Sequence, residues 1–111
     1  MPFEGRGISV ILSIVKYDVI IVGAGPAGIF AGLELTKEKD LKVLFLEMGE
    51  DITPRTRDDL FHGFGGAGAF SDGKLNLSAE VGGFLTDYAE HLKLSELISY
   101  VDGLYLKYGA P

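Results

Sequence analysis

The apolar positions of this chain change their pattern three times. Residues 17–22 read Tyr-Asp-Val-Ile-Ile-Val and run straight into glycine. An unbroken β-branched run of this kind predicts a short strand covered on both faces, as parallel strands are. From Pro26 to about residue 37, Ala27, Phe30, Ala31, Leu33 and Leu35 stand among few polar residues. Pro26 brings a preset φ to a position where its missing N–H is not needed, so a helix is predicted there. Asp40 interrupts the pattern, and residues 42–47, Lys-Val-Leu-Phe-Leu-Glu, form a second strand-like run closed by an acid ahead of Met48 and Gly49. Strand, helix and strand in this order predict one right-handed βαβ unit over residues 17–47.

Residues 49–82 carry no such periodicity. They hold Pro54, Arg55, Arg57, the acidic pair Asp58 and Asp59, and a glycine-rich stretch from Gly63 to Gly73. A loop of that length in a compact domain is either functional or a sign that part of the fold is missing. Past Gly83, Leu85, Tyr88, Ala89 and Leu92 recur at helical spacing, and past Ser95 so do Leu97, Ile98, Val101, Leu104, Tyr105 and Tyr108. Two amphipathic C-terminal helices are predicted, with these apolar side chains as core.

Ahead of the first strand, residues 8–15 are apolar and uncharged, but the run ends at Lys16 and Asp18. That is well short of the roughly 18 residues of a membrane span. Arg6 followed by this run loosely imitates a signal peptide, yet the small residues where cleavage would fall, 23–28, belong to the motif discussed below. The expectation is therefore no membrane, no secretion and a cytoplasmic setting by default. Residues 1–16 read as an N-terminal extension or added edge strand, and residues 17–111 as one partial α/β domain.

Composition narrows the class without choosing a function. One hundred and eleven residues, 47% hydrophobic and 23% charged, suit one soluble globular domain. The formal charge of −6 repels phosphate backbones, so nucleic acid is not an expected partner. With no cysteine there is no disulfide, thiolate nucleophile or cysteine-ligated metal. The absence of Gln and Cys, with Asn76 the one asparagine, hints at a thermophilic source. Glycine is in excess, 16 of 111 residues, and gathers at 23–32 and 63–73.

The first gathering, Gly23-Ala24-Gly25-Pro26-Ala27-Gly28, matches G-x-G-x-x-G. It follows a predicted strand, opens a predicted helix, and is followed after the second strand by Glu47, near the spacing of about 20 residues expected of a dinucleotide-binding fingerprint. Gly23 permits the tight turn, Gly25 lets a pyrophosphate approach the backbone, and Gly28 lets helix and strand pack closely. The pyrophosphate would rest on the N–H groups and positive dipole end of the helix. Glu47 would accept hydrogen bonds from ribose hydroxyls and repel a 2′-phosphate, which leaves FAD or NAD as the ligand. In the second gathering, successive N–H groups of a glycine-rich turn make an anion-binding nest and leave room for a flat ring; a tight structural turn is the alternative.

With these motifs in place, the chain resembles the amino-terminal FAD-binding segment of the flavoprotein superfamily that includes the glutathione reductases. The stretch Gly65-Gly66-Ala67-Gly68-Ala69-Phe70-Ser71-Asp72-Gly73-Lys74-Leu75 is similar to the signature of a poorly characterised family of bacterial and archaeal FAD-dependent dehydrogenases. The resemblance implies a Rossmann-like FAD-binding fold, with Gly23, Gly25 and Gly28 at the pyrophosphate, Glu47 at the ribose, and Pro26, Ala27 and Met48 among the cofactor-binding residues. It also implies Gly66, Ala67, Gly68 and Ser71 along the flavin side. Arg55, one short loop after Glu47, is a further candidate for phosphate. Relatives of this kind continue with more strands and a substrate region, so the chain reads as the front of a longer flavoprotein, an oxidoreductase.

The remaining candidates are weaker. His62 stands beside the second glycine group and His91 in a predicted helix, neither with a partner that makes a catalytic pair. Asp58-Asp59 and Glu50-Asp51 lack the spacing of a calcium loop, and Ser71-Asp72 lacks the setting of a nucleophile elbow. No catalytic residue is assigned, and little turnover is expected of the chain alone. Three functions stay open: an FAD-binding module of an oxidoreductase, an NAD-binding module, and a ligand-free remnant held together by self-association.

Overall fold

A computed structural model describes residues 15–38, 40–53 and 60–111. Residues 8–14 of the apolar run, Arg55, Arg57 and the Asp58-Asp59 pair lie outside the described residues. The chain divides into two compact units, Met1–Gly73 and Lys74–Pro111.

The first unit is the expected βαβ arrangement, and the fold class is α/β and Rossmann-like. Strand β1 (Val19–Val22) lies parallel to β2 (Val43–Leu46), with Val19 opposite Val43 and Val22 opposite Leu46. Helix α1 (Pro26–Leu35) connects them, with Pro26 at its start. Asp18 fastens the open end of the pair: its N–H donates to the Lys42 carbonyl (2.8 Å) and its carboxylate accepts from the Lys42 N–H (2.8 Å). Asp40, the break foreseen between helix and strand, takes a left-handed φ of 74° there.

Helix and sheet touch where the helix has no side chains. A methyl group on Gly32 would collide with the Phe45 ring and lie 3.6 Å from Ile21 Cδ1, so α1 rests on the face formed by Ile21 and Phe45. The opposite face corrects the expectation of strands covered on both sides. Burial alternates along β1: Val19 and Ile21 are half-buried, while Ile20 is 57% and Val22 82% exposed. Leu46, beside Val22, is also exposed. Among the described residues, one helix covers one face of a two-stranded sheet, and an unbroken apolar run in the sequence does not say whether a second layer is present.

The second unit closes with two helical elements, but the break between them falls earlier than Ser95. A 3-10 turn (Leu85–Asp87) is followed by one long helix, α2 (His91–Lys107), which contacts it. Ser95 lies inside α2, its hydroxyl donating to the His91 carbonyl four residues back (3.0 Å), a bond that lets serine sit within a helix. The buried stripe shifts with the boundary. Leu94 is buried and Ile98, Val101 and Leu104 are half-buried, whereas Leu92, Leu97, Tyr105 and Tyr108, expected in the core, are exposed. No helix among the described residues is long and apolar enough to cross a membrane.

Candidate functional site

Parallel register builds the site. The ladder runs one residue past the strands, where the Gly23 N–H donates to the Leu46 carbonyl (2.7 Å). Glu47, the next residue, is thereby brought to the first glycine turn. Its Oε2 accepts from the Ala24 N–H (2.8 Å), and its Oε1 accepts from the N–H groups of Gly49 (3.0 Å) and Gly63 (2.9 Å). These three bonds, Ala24 first, hold the Glu47 carboxyl at about 2 against an ordinary 4.5, with partial burial opposing them. The acid is a permanent anion at any physiological pH.

Glu47 therefore joins the two glycine groups that the sequence left separate. The second group is held by two further bonds: the Phe64 N–H donates to the Glu50 carbonyl (3.0 Å) and the Gly65 N–H to the Ala24 carbonyl (2.7 Å). Gly66 then sits against the start of α1. With φ at 69° it is in the left-handed region, and a methyl group there would lie 3.3 Å from Gly25 Cα and 3.4 Å from Pro26 Cδ. At the other end of the turn, a Cβ at Gly28 would strike the Gly23 carbonyl oxygen.

Between the two turns and the carboxyl ends of both strands opens a cleft of about 310 Å³, lined by Val22, Gly23, Gly25, Leu46, Glu47, Met48, Phe61, His62, Gly63 and Gly66. Ligands of open α/β sheets bind at this edge. Five of the expected site residues line the cleft: Gly23, Gly25, Glu47, Met48 and Gly66. Pro26, Ala27 and Gly28 form the first turn of α1 beside it. Ala67 and Gly68 belong to a 3-10 turn (Ala67–Phe70) that leads away from Gly66, and the Ser71 hydroxyl donates to the Gly68 carbonyl (3.0 Å) to close that turn. Arg55 lies outside the described residues.

Four lining residues were not foreseen. Val22 and Leu46 are the last residues of their strands, and the rule that such ends form ligand crevices would have found them. Phe61 and Gly63 arrive through the Gly63 bond to Glu47, for which spacing gives no signal. Val22, Met48 and Phe61 leave the rim of the cleft apolar, each more than four-fifths exposed.

The open donors at the start of α1 are backbone groups. Among the described residues, the N–H groups of Gly25, Ala27 and Gly28 donate to no protein acceptor, as expected for the first turn of a helix. No three His, Asp or Glu side chains among the described residues converge as a metal ion would need.

Comparison with known proteins agrees with this geometry at a coarse level. The Thi4 family profile matches residues 5–53, a stretch that includes β1, the first glycine turn, α1, β2 and Glu47, and that is of the Rossmann, dinucleotide-binding type. An uncharacterized protein of Clostridium beijerinckii is 41% identical over 75 residues, covering 55% of this chain. The chain corresponds to 14% of that protein's length. No solved structure matches.

Proposed function

We propose that this chain is the FAD-binding module of an oxidoreductase, holding the ADP portion of the cofactor between its two glycine turns. The observation that carries the reading is the meeting, in one cleft, of the open N–H groups at the start of α1 and the carboxylate that ends β2. Gly23, Gly25 and Gly28 would surround the pyrophosphate, with Pro26 and Ala27 in the same turn. Glu47 would meet the ribose. Backbone N–H groups of Gly49 and Gly63 gather on Oε1, and a ribose hydroxyl would share Oε2 with the Ala24 N–H. Met48 and Phe61 offer apolar surface to a purine. Gly66, Ala67, Gly68 and Ser71 would run beneath the flavin side.

The cleft fits part of such a ligand. Its 310 Å³ lies at the lower end of the roughly 300–1,000 Å³ of small-molecule sites, enough for an adenosine with its phosphates. FAD, when bound, supplies the electron transfer, and these residues bind and orient it. The match spans 14% of its relative's length, and no electron donor, acceptor or substrate is assigned.

Titration of FAD by flavin fluorescence tests the reading. Saturable quenching that competes with ADP is expected, together with its loss when Gly25 is replaced by leucine, which would fill the approach to the turn. Binding of NAD, read by calorimetry, with no binding of FAD would move the assignment to a nicotinamide cofactor. Binding of neither would end it.

A further inference from the structure

Glu47 is an unexpected residue to find in the wall of a pyrophosphate site. Its charge opposes a polyanion, and its position leaves it ionised throughout the working pH range. Its two oxygens nevertheless gather N–H groups from three separate segments: Ala24 in the first glycine turn, Gly49 after β2, and Gly63 at the start of the second turn. Ala24 and Gly63 are both buried. Loss of the carboxylate would leave these donors without a partner in a place where that is costly.

The geometry passes through Ala24 to the phosphate donors. A trans peptide is planar, with its C=O and N–H pointing in opposite directions. The peptide joining Gly23 to Ala24 is fixed by its N–H, which Glu47 holds. The peptide joining Ala24 to Gly25 is fixed by its C=O, which accepts from Gly65. Its N–H, that of Gly25, is fixed with it, opposite to the Ala24 carbonyl. Gly65 can make that bond because Gly63, two residues earlier, is fastened to Glu47. Both planes that lead into α1 are thus set by one carboxylate, once directly and once through the second turn.

We propose that Glu47 is the positioning residue of this cleft: its carboxylate clamps the second glycine turn onto the first and so aims the Gly25 N–H and the first turn of α1 at a phosphate group. This role rests on the dinucleotide reading but is separate from any contact with ribose. It explains why an acid is kept beside an anion site. The alignment it gives to neutral N–H donors outweighs its own repulsion.

The test uses a probe with no ribose. Binding of inorganic pyrophosphate and of ADP is measured by calorimetry for the wild type, Glu47→Gln and Glu47→Asp. Glutamine removes a negative charge, so electrostatics alone would tighten pyrophosphate binding. Positioning requires the reverse, because an amide has one acceptor oxygen and presents N–H to at least one of Ala24 and Gly63. Pyrophosphate affinity is expected to fall roughly tenfold or more, the usual loss for a charge-assisted hydrogen bond, with Glu47→Asp between glutamine and wild type. Unchanged or tighter pyrophosphate binding in Glu47→Gln, with ADP alone weakened, would overturn the proposal and leave Glu47 as a ribose contact.

A second measurement needs no variant. In wild-type NMR spectra the amide protons of Ala24 and Gly63 should exchange slowly with water. They should also show no titration between about pH 5.5 and 3.5, where an ordinary glutamate changes charge. Exchange at the rate of an open loop, or a titration step in that range, would equally overturn the clamp. If the wild type binds neither pyrophosphate, ADP nor FAD, the functional reading fails, and the clamp is judged by the amide protons alone.

Discussion

Gly28→Ala adds one methyl group, and the structure says where it lands. The new Cβ overlaps the Gly23 carbonyl oxygen and lies 3.2 Å from both the Gly23 carbonyl carbon and Ile21 Cγ2. That carbonyl is not free to turn aside. It shares a peptide plane with the Ala24 N–H, which donates to Glu47 (2.8 Å), and the Gly23 N–H is fixed on Leu46 (2.7 Å). Helix α1 must therefore lift from the strand. Overpacking costs about 1–3 kcal/mol, and a backbone obstacle places this case at the upper end. Replacing a helical glycine by alanine returns about 1 kcal/mol. A net loss of about 2 kcal/mol is expected, or about 8–16 °C in Tm for a domain of this size. Gly25→Ala is the control. Its Cβ meets nothing within 4 Å and its φ is −78°, so the loss should stay below about 1 kcal/mol, the scale of a changed helix cap. Thermal melts followed by far-UV circular dichroism measure both. If Gly28→Ala melts with the wild type, or if Gly25→Ala is the more damaging, the account of the turn is wrong.

Gly103 lies exposed in α2, and a methyl group added there would meet nothing within 4 Å, so Gly103→Ala should raise stability by up to about 1 kcal/mol; a lower Tm would show that this helix face is not open. The Glu47 carboxyl is depressed from 4.5 to about 2, so its stabilising effect is complete above the ordinary value and is lost as pH falls through about 2. The Tm difference between wild type and Glu47→Gln should be flat above about pH 4.5 and shrink below it, and a gap unchanged down to about pH 2 would refute this. The uncovered face of Ile20, Val22 and Leu46 is expected to pair with a second copy when the chain is isolated, given roughly 1,000 Å² or more of contact; light scattering at micromolar concentration that shows a compact monomer, with no apolar dye bound, would remove this expectation.

What the sequence makes legible here is what is encoded locally. The apolar runs ending in Gly23 and Glu47, and Pro26 at the head of a helix, mark β1, α1 and β2 to within two residues of their observed bounds. What escapes it depends on neighbours distant in the chain. Whether Val22 and Leu46 are covered is decided by a second layer, not by their own β-branched surroundings. Ser95 looks like a boundary in a periodic pattern, but its hydroxyl bonds back to His91 and the helix continues. Phe61 reaches the cleft because Gly63 is held by Glu47, a loop contact that no spacing rule describes. The fingerprint singles out Glu47 for a ligand and gives no sign of the three N–H groups it already holds.

The charge of the chain then makes physical sense of the site. A protein of net charge −6 does not gather a dinucleotide by long-range attraction, and among the described residues no lysine or arginine lines the cleft. The available attraction is short-ranged: peptide dipoles summed at the start of α1, with their N–H groups unspent. Dipolar donors work only when aligned, because their field falls off faster than that of a charge. Alignment must therefore come from the fold. In this chain it comes from a helix opened by proline, from glycines that let two turns touch, and from one carboxylate placed by strand register at their junction. On the proposed reading, an acid at that point would cost some attraction for phosphate and fix the donors that supply the rest.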